Sequence, residues 1–324
     1  MKKAVSVLLC PVLTPVLFFS GCSGAQTSYG FPYSRLQEGS SFTYEDVVVP
    51  FSAELCVAEG DVADGSIDFE ETESGAIFDL TRRETLYAYR VHERMDPASM
   101  TKVMTALVAV ENGTLDQKLT CNNADYITER GAQLLDMEKG EQMTLHQALH
   151  FLLVFSANDV AMMIAENLCG DVDSFVKLMN EKAVSLGATN SHFSNPHGLT
   201  EADQYVTAYD MYLIFRAAME HEVLQQIVRL PSYKTQYTRA DGTVKEAEVT
   251  NTNAFLRENS GISAPAGVTV IGGKTGSTFA AGECLVMMVR DVNGDPYIAV
   301  VMHATGSGSL YRKMSQLLEK ATIS

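Results

Sequence analysis

Along these 324 residues the hydrophobic pattern changes period twice, and that order constrains the fold more than any other feature. Runs of period two stand toward both ends, with about a hundred residues of helical period between them. Residues 50–58 and 74–91 read as strands. Within the second, 76–80 and 85–89 flank Thr81-Arg82-Arg83-Glu84, which predicts a hairpin, and the acidic stretch 59–73 before it predicts a loop. Val103, Ala106, Leu107 and Val110 then recur at helical spacing up to Gly113. Thr144 with Gln147 three residues on is a capping box for a helix whose apolar face holds Leu145, Ala148, Leu149, Leu152 and Leu153. Further helices are expected over 159–168 and 174–186, and one starting at Thr207. From 232 the strand pattern returns in 232–238, 243–250, 268–273, 283–290 and 297–303, followed by a helix over 309–321. Asp241-Gly242 and Asn293-Gly294-Asp295-Pro296 supply turns. The pattern predicts an α/β fold of the α+β type: an antiparallel sheet built from both chain ends, flanking helices and an inserted helical lobe.

The first residues read as a targeting segment. Lys2 and Lys3 precede an apolar stretch over 4–19, which Pro11 and Pro15 interrupt, and Ser20-Gly21-Cys22 follows. The apolar run is too short and too broken for a spanning helix. Small residues before a cysteine resemble the lipobox of bacterial lipoproteins, although Phe19 stands where an aliphatic residue is usual. This predicts a signal peptide over 1–21, lipidation at Cys22, a Ser/Gly/Tyr-rich tether over 22–45 and a catalytic domain over 46–324. Cleavage after Ser23-Gly24-Ala25 is the alternative. Either route exports the chain, and lipidation would hold it at the outer face of the cytoplasmic membrane. A net charge of −16 argues against nucleic acid as a partner. Beyond Cys10 and Cys22 the cysteines are Cys56, Cys121, Cys169 and Cys284. They are scattered and need not pair, and Cys56 and Cys284 read as small buried residues of strands.

Three short motifs carry the chemistry. Ser99 and Lys102, three apart at the start of a helix, share a face, so an amine with a lowered pKa could take the serine proton. Ser156-Ala157-Asn158 lies in the break between two helices, and Lys274-Thr275-Gly276 lies on or beside a strand near the end. Each motif alone is common. The three in this order are the set found in penicillin-binding proteins and class A β-lactamases.

The surrounding residues resemble the serine D-alanyl-D-alanine carboxypeptidases, the low-molecular-mass penicillin-binding proteins (peptidase S11). The resemblance runs through Asp96-Pro97-Ala98-Ser99-Met100-Thr101-Lys102, Ser156-Ala157-Asn158-Asp159, Asn195-Pro196-His197-Gly198-Leu199 and Gly272-Gly273-Lys274-Thr275-Gly276. It covers about residues 50–324 and implies a β-lactamase-like transpeptidase fold. It departs in Ala157, often Gly there, in stopping after the final helix where many relatives continue into a β-rich domain and an amphipathic anchor, and in 59–73, which looks like an insertion. The resemblance implies Ser99 as nucleophile, Lys102 as base and Ser156 as proton relay. Asn158 would hold the substrate backbone, Lys274 with Thr275 the terminal carboxylate, and Gly276 and Ser277 would complete the binding strand. The N–H groups of Ser99 and Ser277 would form the oxyanion hole. The implied substrates are peptidoglycan stem peptides ending in D-Ala-D-Ala, with β-lactam antibiotics as acylating mimics; no cofactor or metal is implied. A β-lactamase of the same fold is the near alternative, but no Glu-x-x-Leu-Asn lies between Ser156 and Lys274. A penicillin sensor without turnover is the other. His146 and His150 have the spacing of a zinc protease without its glutamate, and read as a structural helix face. Gly306-Ser307-Gly308-Ser309 lacks the lysine of a phosphate loop and reads as a loop capped by Ser309. His197 has no assigned chemical role.

Overall fold

A computed structural model describes residues 51–322. The expected signal peptide, Cys22 and the tether lie outside them.

Segments toward the two ends of the described residues build one antiparallel sheet, as the pattern predicts. Strands β1 (Ser74–Asp79) and β2 (Glu84–Tyr89) form the expected hairpin. β7 (Thr269–Thr278), β8 (Gly282–Arg290) and β9 (Pro296–Ala304) complete a sheet of order β2-β1-β9-β8-β7. The two ends meet where β1 pairs with β9, Ile77 opposite Ala299. Helix α7 (Ser307–Lys320) packs Leu310, Met314, Leu317 and Leu318 onto one sheet face. It is also tied by the buried ion pair of Lys313 with Glu73.

The helical lobe contains α1 (Thr101–Asn112), α2 (Leu145–His150), α3 (Asn158–Cys169), α4 (Val172–Ser185), α5 (Ala208–Ala218) and α6 (Glu222–Val228). Sequence cues set most ends. Thr144 and Gln147 form the predicted capping box, Thr207 Oγ1 accepts the Asp210 N–H, and Gly170 ends α3 in the left-handed region at φ 83°.

Four expectations need correcting. No strand covers 51–58. A 3₁₀ turn (Phe51–Glu54) leads into a segment held by α5 hydroxyls: Cys56 N–H donates to Tyr212, and Tyr209 donates to the Cys56 carbonyl. These side chains satisfy the backbone, so no ladder forms. Second, β5 (Ser232–Thr238) and β6 (Val244–Thr250) are a hairpin but do not join the main sheet. They form a second sheet, order β3-β4-β5-β6, with the short β3 (Lys118–Thr120) and β4 (Gln142–Thr144). Third, the strand expected over 268–273 is β7 and runs on to Thr278, which puts Lys274-Thr275-Gly276 on a strand as expected. Fourth, Ser309 is not a cap: α7 starts at Ser307 with Gly306 before it.

The four described cysteines are free, and Cys56, Cys121 and Cys284 are buried. His150 stacks on Tyr233 with ring centroids 4.0 Å apart and bonds the His146 carbonyl through Nδ1, so this pair is a packed helix face.

Candidate active site

The first motif sits on a strained turn. Ser99 lies in the 3₁₀ turn Ala98–Met100 that leads into α1, and Ala98 before it is held at φ 45°. A non-glycine residue there costs roughly 1–3 kcal/mol and needs outside support. The Asp96 carboxylate supplies it by accepting the Ala98 N–H at 2.9 Å.

Lys102, one turn on, is fully buried. Its Nζ lies 2.8 Å from Ser99 Oγ and 2.7 Å from Asn158 Oδ1, and also bonds the His197 carbonyl. Burial drives its pKa well below the usual lysine value, the Lys274 charge adds to this, and Asp159 opposes it. A neutral amine has two N–H groups and one lone pair. Asn158 Oδ1 and the His197 carbonyl can only accept, so they take both N–H groups. The lone pair then faces the Ser99 hydroxyl, which is the geometry of a general base.

The second motif arrives by an irregular route. α2 passes into a π-helical turn (Phe151–Phe155), which ends at Ser156 in the left-handed region, φ 73°. π-turns often mark functional sites. The following backbone puts Asn158 at the start of α3. Beside it Asp159 is buried, which raises its pKa against three backbone N–H bonds from Leu135, Met137 and Val160. Those bonds dock the segment carrying Arg130 and Gln133 as one cleft wall.

The third motif is the opposite wall. Lys274 is fully buried, and burial lowers its pKa to about 7. Its Nζ donates to Ser156 Oγ at 3.0 Å and to the Thr275 carbonyl at 2.7 Å. Lys274 therefore presents no surface of its own; Thr275 and Ser277 line the cleft in front of it. Gly276 permits the close approach of β7, because a Cβ there would lie 2.9 Å from the Pro97 carbonyl oxygen. Gly198, at φ +89°, is equally constrained: a Cβ would overlap the Ala98 carbonyl.

The structure thus gathers Ser99, Lys102, Ser156, Asn158, Lys274, Thr275, Gly276 and Ser277 around one cleft of about 520 Å³. A more open concavity of about 610 Å³ beside Pro231 and Asn259 holds none of the three motifs. His197 acts through its carbonyl. Its ring Nδ1 accepts the Leu199 N–H, and burial, then the Lys102 charge, lowers its pKa to about 3. The sequence pattern gave no signal for Thr252, whose hydroxyl lies 2.5 Å from that of Thr275, or for the cleft-lining Arg130, Arg257 and Tyr311.

A serine paired with a buried lysine one turn on, between a Ser-x-Asn turn and a Lys-Thr-Gly strand, places this site in the penicillin-binding-protein class. Residues 67–306 match the family model of peptidase S11, D-alanyl-D-alanine carboxypeptidase, and the chain belongs to that family. It is 31% identical over 254 residues to the D-alanyl-D-alanine carboxypeptidase DacF of Bacillus subtilis, covering 78% of this chain and 62% of that one. It is 36% identical over 192 residues to DacB2 of Mycobacterium tuberculosis, covering 59% and 60%. The chain thus spans about three fifths of the length of these relatives. The crystal structure of the Streptomyces K15 DD-transpeptidase superposes with a TM-score of 0.70 at 27% identity, covering 76% of this chain and 95% of that one.

Proposed function

We propose that this chain is a serine D-alanyl-D-alanine carboxypeptidase acting on peptidoglycan stem peptides and acylated by penicillins. The observation that carries the reading is Lys102: it is buried, and its Nζ bonds Ser99 Oγ, Asn158 Oδ1 and the His197 carbonyl, an arrangement that turns the lone pair of a neutral amine toward Ser99. Lys102 takes the Ser99 proton as Oγ attacks the carbonyl of the penultimate residue. The developing oxyanion is held by the N–H groups of Ser99 and Ser277. Ser156, whose Oγ accepts from Lys274, hands its proton to the leaving D-alanine amine as the C–N bond breaks and takes in its place the proton that Lys102 received from Ser99. Water then attacks the ester and frees Ser99. Asn158, beside Lys102, would bond the peptide backbone. Thr275 and Ser277 would bond the terminal carboxylate, with the Lys274 charge behind them.

The expected signal peptide, tether and lipid at Cys22 complete the reading as an exported protein anchored at the outer face of the cytoplasmic membrane. Among the described residues no helix is long and apolar enough to cross a membrane.

The test is turnover by the purified protein. A carboxypeptidase releases D-alanine repeatedly from a D-Ala-D-Ala peptide, and Ser99→Ala abolishes labelling by a fluorescent penicillin without losing the folding transition. One labelling event without peptide turnover would identify a sensor. Fast penicillin hydrolysis without D-alanine release would identify a β-lactamase.

A further inference from the structure

We propose that Thr200, outside all three motifs, is a positioning residue that sets the spacing of the oxyanion hole by bridging the nucleophile turn to the end of β7. Its Oγ1 lies 2.7 Å from Asp96 Oδ2 and 3.2 Å from Thr278 Oγ1. Each contact leads to one side of the hole. Asp96 Oδ1 accepts the Ala98 N–H at 2.9 Å and so holds the residue before Ser99 at its positive φ. The Asp96 carbonyl is fixed in turn by His303 Nε2 at 3.2 Å. Thr278 ends β7, next to Ser277, and its Oγ1 accepts the Ala281 N–H at 2.9 Å.

Proton counting gives the bridge one direction. The Asp96 carboxylate can only accept, so the single hydroxyl proton of Thr200 goes there. Thr278 must then donate to Thr200, and its lone pair takes Ala281. The chain runs from the Ala281 N–H through Thr278 and Thr200 to the carboxylate that also receives Ala98. It joins residues 96, 200 and 278, which no local structure would hold together. On the inner side β7 runs so close to the turn that a Cβ on Gly276 would meet the Pro97 carbonyl and Ala98. On the outer side the hydroxyl bridge keeps this gap from widening. Donors to an oxyanion must sit about 2.7–3.1 Å from the developing charge, so loosening the gap costs transition-state more than ground-state binding.

The inference rests on acylation at Ser99 proposed above. Thr200→Val removes the hydroxyl and keeps the shape at an exposed position; Thr200→Ser keeps the hydroxyl. The measurements are the penicillin acylation rate constant, separated by stopped flow from the initial binding constant, and the affinity for a boronic-acid peptide that mimics the tetrahedral state. Thr200→Val is expected to slow acylation and weaken boronate binding by about fivefold to tenfold, the scale of one net hydrogen bond. Initial binding and melting temperature stay unchanged, and Thr200→Ser restores both the acylation rate and the boronate affinity. Wild-type acylation by the valine variant, a loss confined to initial binding or melting temperature, or no rescue by serine overturns the bridge. A wild-type protein that is neither labelled nor active overturns the functional reading itself, and the bridge with it.

Discussion

Replacing Lys274 by methionine should make the protein more stable at neutral pH and less stable at high pH. Lys274 is fully buried, and burial lowers its pKa from 10.5 to about 7. The unfolded chain holds that proton up to about pH 10.5 and the folded chain releases it near 7. Between those values the unfolded state binds more protons, so stability rises with pH. Below pH 7 the folded protein carries the whole cost of a buried cation, and above 10.5 it carries none. The gap corresponds to about 5 kcal/mol. Methionine keeps the volume and removes the charge, but leaves the Thr275 carbonyl without its donor, at about 1–3 kcal/mol. Lys274→Met should therefore be about 2–4 kcal/mol more stable than wild type at or below pH 7, and about 1–3 kcal/mol less stable near pH 10.5. Urea denaturation of both proteins between pH 6 and 10.5 reads this directly. Parallel curves that never cross would refute the argument, because they would mean that Lys274 holds its proton in the folded state as it does in the unfolded one. The same variant should lose about tenfold to hundredfold in kcat/KM on a free-acid D-Ala-D-Ala peptide, and less on its C-terminal amide. Equal losses would leave Lys274 acting only through Lys102 and Ser156.

Gly276→Ala should slow penicillin acylation by at least about tenfold, since the new Cβ meets the Pro97 carbonyl and pushes β7 off the nucleophile turn; a stopped-flow rate equal to wild type would show that the strand yields without cost. Cys22→Ser should release the protein from the membrane fraction or leave an unprocessed precursor, and an unchanged membrane-bound mature protein on fractionation would remove the lipid anchor.

Residue types and order alone singled out the side chains of the candidate site. Ser99 and Lys102 share a face through one helical turn, a purely local relation, and the capping box at Thr144 and the stop at Gly113 are equally local. Joining both chain ends in one sheet was also legible, because period-two runs at the two ends have no other apolar surface of their kind to pair with. The second sheet was not. β3 and β4 have three residues each, too few to show a period, and β5 and β6 alternate just as a strand of the main sheet would. Periodicity says that a strand forms and leaves open which edge it joins.

Tertiary structure alone decided what those side chains can do. The Lys102 pKa falls because packing removes its water, and two carbonyl acceptors stand around its amine, one from residue 158 and one from residue 197. Lys274 loses its surface for the same reason and reaches the cleft through Ser156 and Thr275. Burial and charge proximity depend on contacts between residues far apart in the chain, which no local pattern encodes. Thr200 shows the same limit: an exposed threonine carries no pattern, and only the fold sets its hydroxyl between Asp96 and Thr278.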